Sequence, residues 1–77
     1  MPQMVVKDRE LIRISPKDAR RIEVSTNNGG SWMTRYTGSS TQGAFLDLTV
    51  NGYELLAITE NGLFASRNNG GNWIRRS

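Results

Sequence analysis

One eight-residue motif occurs twice in this chain, and the repetition constrains the fold more than any other feature. Residues 25–32 read STNNGGSW, and residues 66–73 read SRNNGGNW. Upstream of the two motifs, residues 10–15 (ELIRIS) match residues 54–59 (ELLAIT). The first copy has three more residues between these segments, around Pro16, which is typical of an insertion in a surface loop. The chain is therefore predicted to consist of two related units.

Turn residues divide the chain into short segments with the composition of β-strands. Asn and Gly both accept the positive φ of type I′ hairpin turns, and Asn-Gly pairs occur at 28–29, 51–52, 61–62 and 69–70. The segments between the turns are rich in Val, Ile, Leu, Phe and Thr, and none has a sustained helical periodicity. We predict strands near residues 3–7, 10–15, 20–25, 32–37, 44–50, 53–59, 63–66 and 73–76.

The fold class predicted from this pattern is all-β, with two four-stranded antiparallel meanders. We expect a single domain over residues 1–77. Within it, repeat one spans 1–37, a polar linker without periodicity spans 38–43, and repeat two spans 44–77.

The two repeats differ in how apolar residues are distributed over the faces of their strands. In repeat one, Ile12 and Ile14 alternate with Arg13, so one face is apolar and the other is polar. In repeat two, residues 55–58 and 63–65 are apolar without interruption and therefore place apolar side chains on both faces. A single neighbouring sheet covers only one face. We expect the other face to contact a second chain or to form an exposed apolar patch.

The short chain also favours association with a partner. Chains below about 70–80 residues usually depend on disulfides, a metal or a partner for stability. This chain of 77 residues has no Cys and no His, so it lacks both disulfides and the usual zinc ligands. We predict a homo-oligomer without a metal site or a cofactor.

The two motifs resemble Asp-box repeats, also called BNR repeats, whose pattern places Ser or Thr, Asp, Gly, Thr or Ser, and Trp at fixed spacing. Asn stands where this family has Asp, and its side-chain oxygen can still accept backbone hydrogen bonds across a turn. Asn72 stands where the family usually has Thr. The residues that we predict to form these structural turns are Ser25, Asn27, Gly29, Trp32, Ser66, Asn68, Gly70 and Trp73.

The resemblance implies propeller-blade-like units in which each Trp packs against its own sheet, away from any catalytic centre. Two blades are too few for a closed propeller. The resemblance therefore leaves two arrangements open. The two sheets form a sandwich, or several chains assemble into a propeller, as in some small lectins with two blades in each subunit.

Asp47 is the one acidic residue that lies inside an apolar run, Phe45-Leu46-Asp47-Leu48. It is either a carboxylate with a perturbed pKa in a pocket or an outward-facing residue of an amphipathic strand, and we favour the second interpretation. The sequence pairs it with no second acid, as a glycosidase requires, and the chain has no His to act as a base near neutral pH. We predict no catalytic residues.

A candidate binding surface follows each motif. Strand alternation predicts that Trp32, Thr34 and Tyr36 share one face. The chain has a net charge of +3, with eight Arg and two Lys, and Arg occurs at equivalent places after the two Trp residues. Such residues either contact an anionic partner or are simply solvated. The candidate surface consists of Arg35, Tyr36, Arg75 and Arg76.

These observations predict a non-enzymatic β-repeat interaction module that self-associates. The alternatives are a lectin-like glycan-binding protein and a protein that binds nucleic acid or another anionic partner through Arg. No apolar run approaches the ~18 residues of a membrane span, so we expect no membrane partner. The first residues lack the features of a signal peptide, which favours a cytoplasmic location, although an exported mature fragment would look the same.

Overall fold

The computed structural model describes residues 4–38, 40 and 42–77, which form two four-stranded antiparallel sheets. Sheet one contains β1 (Met4–Lys7), β2 (Glu10–Ile14), β3 (Arg21–Ser25) and β4 (Met33–Thr37). Sheet two contains β5 (Phe45–Asn51), β6 (Glu54–Thr59), β7 (Gly62–Ser66) and β8 (Ile74–Arg75). Each strand pairs with the next one along the chain. The predicted all-β class with two four-stranded meanders is confirmed.

The predicted strand boundaries agree with the observed ones to within one residue at each end. Residue 3 of the first predicted strand and residues 39 and 41 of the predicted linker lie outside the described part of the chain. The two-residue turn that the predicted strands leave between β1 and β2 consists of Asp8 and Arg9, both at positive φ (52° and 65°), although the sequence has no Asn-Gly pair there. None of the described residues belongs to a helix that could cross a membrane.

The hydrophobic core lies between the two sheets. Directly paired residues of neighbouring strands lie on the same face of a sheet, so the register defines an inner face for each sheet. The buried residues of the inner face of sheet one are Ile12, Ile14, Ile22 and Val24. On the inner face of sheet two, the residues that belong to this core are Phe45, Leu48, Leu55 and Ala57. Full burial of such a side chain contributes about 1.5–3 kcal/mol, so this layer dominates the stability of the fold.

An aromatic cluster closes one side of this core. The ring of Trp73 lies 5.3 Å from that of Phe45 and 6.4 Å from that of Tyr36, measured between centroids. The Tyr36 hydroxyl donates a hydrogen bond to Oε1 of Gln42, which precedes β5. The cluster therefore joins the end of sheet one to the start and end of sheet two.

A β-bulge at Arg35 changes which side chains of β4 face inwards. Ile22 pairs with Tyr36, whereas its neighbour Glu23 pairs with Thr34, so Arg35 is the extra residue. Tyr36 therefore points into the core, while Thr34 lies on the opposite face. The prediction that Trp32, Thr34 and Tyr36 share one face is wrong, because simple alternation does not count the residue that a bulge inserts.

The glycines at positive φ in the two motif turns provide a matched pair for testing the packing of the sheets. Gly29 has φ 89° and Gly70 has φ 95°, so Ala at either position costs about 1–2 kcal/mol of backbone strain. A Cβ at Gly70 would also lie 3.1 Å from Cγ2 of Ile22 in the other sheet, whereas a Cβ at Gly29 meets nothing closer than 3.8 Å.

We expect Gly70→Ala to lower the free energy of unfolding more than Gly29→Ala does, by about 1 kcal/mol or more of overpacking. Urea denaturation of the two variants and the parent protein measures this difference. Equal destabilisation by the two substitutions would show that Ile22 does not press on the Gly70 turn.

Candidate functional site

The two motif turns are closed by the same set of side-chain hydrogen bonds. In the first, Ser25 Oγ accepts the Gly29 N–H at 2.8 Å, and Asn27 Oδ1 accepts the Ser31 N–H at 3.0 Å. The Ser25 hydroxyl also donates to Asn27 Oδ1 at 2.8 Å. The second motif has the equivalent three bonds at 2.8, 2.9 and 2.9 Å among Ser66, Asn68, Gly70 and Asn72. In each turn the Asn side-chain oxygen thus acts as the acceptor for a backbone N–H, in place of a backbone carbonyl.

The two Trp residues occupy different environments although their motifs are equivalent. Trp73 lies between the sheets, and its Nε1 donates a hydrogen bond to the Gly70 carbonyl at 3.1 Å. Trp32 lies on the outer face of sheet one, where the Arg13 guanidinium stacks 3.8 Å from its ring centroid. The difference arises because the two sheets turn opposite sides towards the core.

Equivalent residues of the two repeats lie on opposite sides of the core layer. Ile12 and Ile22 of sheet one are fully buried, whereas their equivalents in sheet two, Leu56 and Leu63, lie on its outer face. Conversely, Leu55 is fully buried on the inner face of sheet two. The sheets thus stack in the same orientation. A sandwich with two-fold symmetry would instead bury equivalent residues of the two copies.

The outer face of sheet two is an apolar surface. Leu56 and Leu63 are half-buried on it, Ile58 is 47% exposed and Ile74 is 65% exposed. The register places these side chains in two adjacent rows across β5 to β8. Asp47 lies at the β5 end of one row, directly opposite Ile58. The two apolar faces predicted for repeat two are therefore present, and one of them is open to solvent.

The outer face of sheet one is more mixed in character. Met4 is 49% exposed and Val6 is 64% exposed on its edge strand. Arg13 and Glu23 form an ion pair at 2.8 Å in the middle of this face, beneath Trp32. This surface therefore combines apolar margins with a charge pair that is already neutralised.

Two of the four residues proposed as an anionic-partner surface form ion pairs with carboxylates of their own repeat. Arg35 binds both oxygens of Glu10, at 2.7 and 2.9 Å. Arg76 binds both oxygens of Glu54, at 3.4 and 2.6 Å. These hydrogen bonds lower the pKa of each Glu carboxyl and raise the pKa of each Arg. The structure thus provides both guanidinium groups with an acidic partner inside the chain.

The other two residues of that proposed surface are separated. Tyr36 is half-buried and points into the core, whereas Arg75 is exposed on β8. The structure does not bring the four residues together on one face. Their role in binding an anionic partner stays a prediction.

Asp47 accepts a hydrogen bond from the Leu48 N–H at 3.0 Å and lies on the outer face of sheet two. It therefore occupies the outward position that we favoured. Within residues 4–38, 40 and 42–77 there is no enclosed pocket and no cluster of three or more potential metal ligands. The predictions of no catalytic residue and no metal stay predictions.

A polar contact between the sheets centres on Asn69 and was missed from the sequence. Lys7 Nζ donates a hydrogen bond to Asn69 Oδ1 at 2.7 Å, and Asn69 Nδ2 donates one to Asp8 at 3.1 Å. Arg35 donates to the Asn69 carbonyl at 3.3 Å. Asn69 sits at φ 60° in its motif, as Asn28 does in the other, so the turn itself offers these groups. No pattern in the sequence indicates which turn meets the other sheet.

No known protein family, curated protein or solved structure matches this chain.

The Glu10–Arg35 pair makes stability depend on pH in a testable direction. Because Arg35 lowers the pKa of Glu10 in the folded state, this pair's contribution is complete above the ordinary value of 4.5 and is lost as the pH falls below it. We expect Glu10→Gln to reduce the difference in unfolding free energy between about pH 7 and about pH 3. Urea denaturation at both pH values measures that difference.

Arg35→Gln serves as the matched variant, because it removes the other half of the same pair. It should reduce the pH dependence of unfolding as much as Glu10→Gln does. If either variant retains the full pH dependence of the parent protein, the pair does not control the ionisation of Glu10.

Proposed function

We propose that this protein is a non-enzymatic β-repeat interaction module that self-associates through the outer face of sheet two. The observation that carries the proposal is the open apolar surface of Leu56, Ile58, Leu63 and Ile74. In sheet one, the positions equivalent to the first three are Ile12, Ile14 and Ile22, at most 5% exposed. The face of the repeat that is buried in sheet one is thus exposed in sheet two.

The energetic argument rests on the cost of leaving this face in water. Each large aliphatic side chain transferred from water to a packed contact contributes about 1.5–3 kcal/mol before the entropic cost of association. Ile58 and Ile74, which are about half exposed or more, have the most to gain. A small chain whose core is a single layer gains proportionally more from a partner than a large one does.

The border of this face also suits an interface. Glu54 alternates with Leu56 and Ile58 on β6 and therefore lies on the same side, next to the apolar centre. Arg76 approaches Glu54 at 2.6 Å and Arg67 approaches it at 3.3 Å. An apolar centre with a polar, charged rim is the usual anatomy of a protein interface.

The other two functions have less support. A stacking platform for sugars needs free aromatic faces, but Trp73 lies between the sheets and Arg13 covers one face of Trp32. A basic surface for nucleic acid needs free cations, but Arg35 and Arg76 are held by Glu10 and Glu54. The Asp-box assignment of the two motifs is also a proposal, supported by the turn in which Asn accepts the bonds that Asp would accept.

The substitution Ile58→Lys tests this face. Lys would lie directly opposite Asp47 on the neighbouring strand, and an opposite-charge pair there is compatible with the folded sheet. We expect at least about tenfold weaker self-association, because both charged groups would have to leave water in the contact. Sedimentation velocity across micromolar concentrations measures the change.

Met33→Lys is the matched control, since Met33 is 60% exposed on β4 and lies outside the outer face of sheet two. This control should associate as the parent protein does. A parent protein that sediments as a monomer at every concentration would overturn the proposal, and so would an Ile58→Lys variant that assembles unchanged.

A further inference from the structure

We infer that copies of this chain associate head to tail, with the outer face of sheet two of one copy packed on the outer face of sheet one of the next. The inference rests on the proposed self-association and specifies its second surface. It also separates this geometry from a symmetric dimer in which two outer faces of sheet two would meet each other.

The contact inside the chain is the template for this contact between chains. Within the chain, one side of repeat one packs on the opposite side of repeat two. Each repeat has both sides, so the same two kinds of surface remain open at the two ends of the molecule. Stacking a second copy in the same orientation repeats the internal contact once more. Contacts between two different patches are heterologous, and they form rings or filaments according to the rotation between copies.

Ile22 shows how one side fits the other. It packs on the Gly70 turn, where a Cβ would lie 3.1 Å from its Cγ2, beside Leu55 and Trp73. A similar gap at a glycine, which we call the open seat, lies on the outer face of sheet one. A Cβ on Gly29 would lie 3.8 Å from Leu11 and 3.8 Å from Trp32. A Cβ on Gly70 would lie at the same distance from the equivalent residues, Leu55 and Trp73.

The residue that would fill the open seat is Leu63. It occupies the same register position in β7 that Ile22 occupies in β3, and it faces outwards from sheet two. In the proposed contact, Leu63 of one copy packs on the Gly29 turn of the next copy.

Exposure supports the inference at both ends. Met4 pairs with Arg13 as Leu48 pairs with Ala57, yet Met4 is 49% exposed and Leu48 is fully buried. On the other side, Ile58 is 47% exposed, whereas its equivalent Ile14 is 5% exposed. In each case the buried member of the pair is the one that the neighbouring sheet covers.

The polar groups of the internal contact are also partly repeated. Arg35 donates across the sheets to the Asn69 carbonyl, and the equivalent groups are Arg76 and the Asn28 carbonyl. Arg76 of one copy can therefore make the same bond to Asn28 of the next. Lys7, which also binds Asn69, has the neutral Asn51 as its equivalent. The contact between chains thus has fewer polar bonds than the internal one and is expected to be weaker.

The Arg13–Glu23 pair reduces the free energy gained in this contact, because both charges would have to leave water, but it does not prevent the contact. These residues occupy the positions of Ala57 and Phe64, which are buried on the inner face of sheet two. Because the two charges are already paired at 2.8 Å, covering them leaves neither charge without a partner.

The test uses two single variants and their mixture. Ile58→Lys blocks the outer face of sheet two, and Met4→Lys blocks the outer face of sheet one. We expect each variant alone to associate at least about tenfold more weakly than the parent. We expect the equimolar mixture to form a one-to-one dimer, because each variant retains the face that the other has lost. Each substituted face carries a Lys that would have to leave water in a contact, so we expect the mixture not to assemble further through these faces.

The outcomes separate this inference from the proposed function. If Met4→Lys assembles like the parent while Ile58→Lys does not, head-to-tail packing is overturned and self-association through sheet two remains. If the parent protein is a monomer at every concentration, both fail. Ile74→Lys is the control within the same face, because its equivalent Met33 stays 60% exposed in the internal contact. Its effect should be smaller than that of Ile58→Lys.

A second measurement needs no substitution and covers the case in which a variant fails to fold. Hydroxyl-radical footprinting of the parent protein compares Met4 with Met33, two exposed methionines of sheet one. As concentration rises, Met4 should become at least about twofold less reactive while Met33 stays unchanged. Equal reactivity of Met4 at all concentrations of an assembling protein would overturn the inference.

Discussion

The packing of Ile22 on the Gly70 turn is the contact on which the arrangement of the two sheets depends. The turn offers a backbone without a side chain, and the neighbouring Leu55 and Trp73 form the walls around it. The left-handed φ of Gly70 and its hydrogen bond to Ser66 hold that turn in place. A β-sheet packs closely only where side chains of one layer enter gaps in the other. This gap decides that sheet one meets sheet two on the side that carries the turn.

The different surroundings of equivalent residues in the two repeats follow from that choice. The side of repeat one that carries Arg13 and Glu23 is left in water, where the two residues pair and Trp32 stacks over them. The side of repeat two that carries Leu56 and Ile58 is also left in water, although its composition suits a core. The molecule therefore ends in two unlike surfaces, and the apolar one would supply most of the driving force for the association that we propose.

Each repeat contains an equivalent ion pair between a Glu and an Arg. In both, a Glu at the start of the second strand binds an Arg near the end of the repeat with both oxygens, Arg35 in β4 and Arg76 directly after β8. These pairs tie the second strand of each meander to the end of the meander, which backbone hydrogen bonds do not connect directly. They also explain why Arg residues that look free in the sequence are not free in the fold. Asn69 extends this network across the core, through Lys7 and Asp8.

The local sequence was enough to determine the strands, the two motif turns and the presence of two apolar faces in repeat two. Each of these follows from short-range chemistry: alternation, the φ preferences of Asn and Gly, and the reach of a Ser or Asn side chain. The bulge at Arg35 was not predictable, because it depends on pairing with β3 rather than on β4 itself. The partners of Arg35 and Arg76 were missed for the same reason, since Glu10 and Glu54 lie far away along the chain.

Only the tertiary structure decided which side of each repeat became the core. The two repeats have the same turns and nearly the same strands. Each repeat therefore has the same two faces, and the sequence does not indicate which face is buried. The choice depends on how side chains such as Ile22 fit the turn of the other repeat, and that fit exists only when the two sheets are in contact. Trp32 and Trp73 consequently share a motif and a local turn, but Trp32 lies on the outer face of sheet one and Trp73 packs against the core between the sheets.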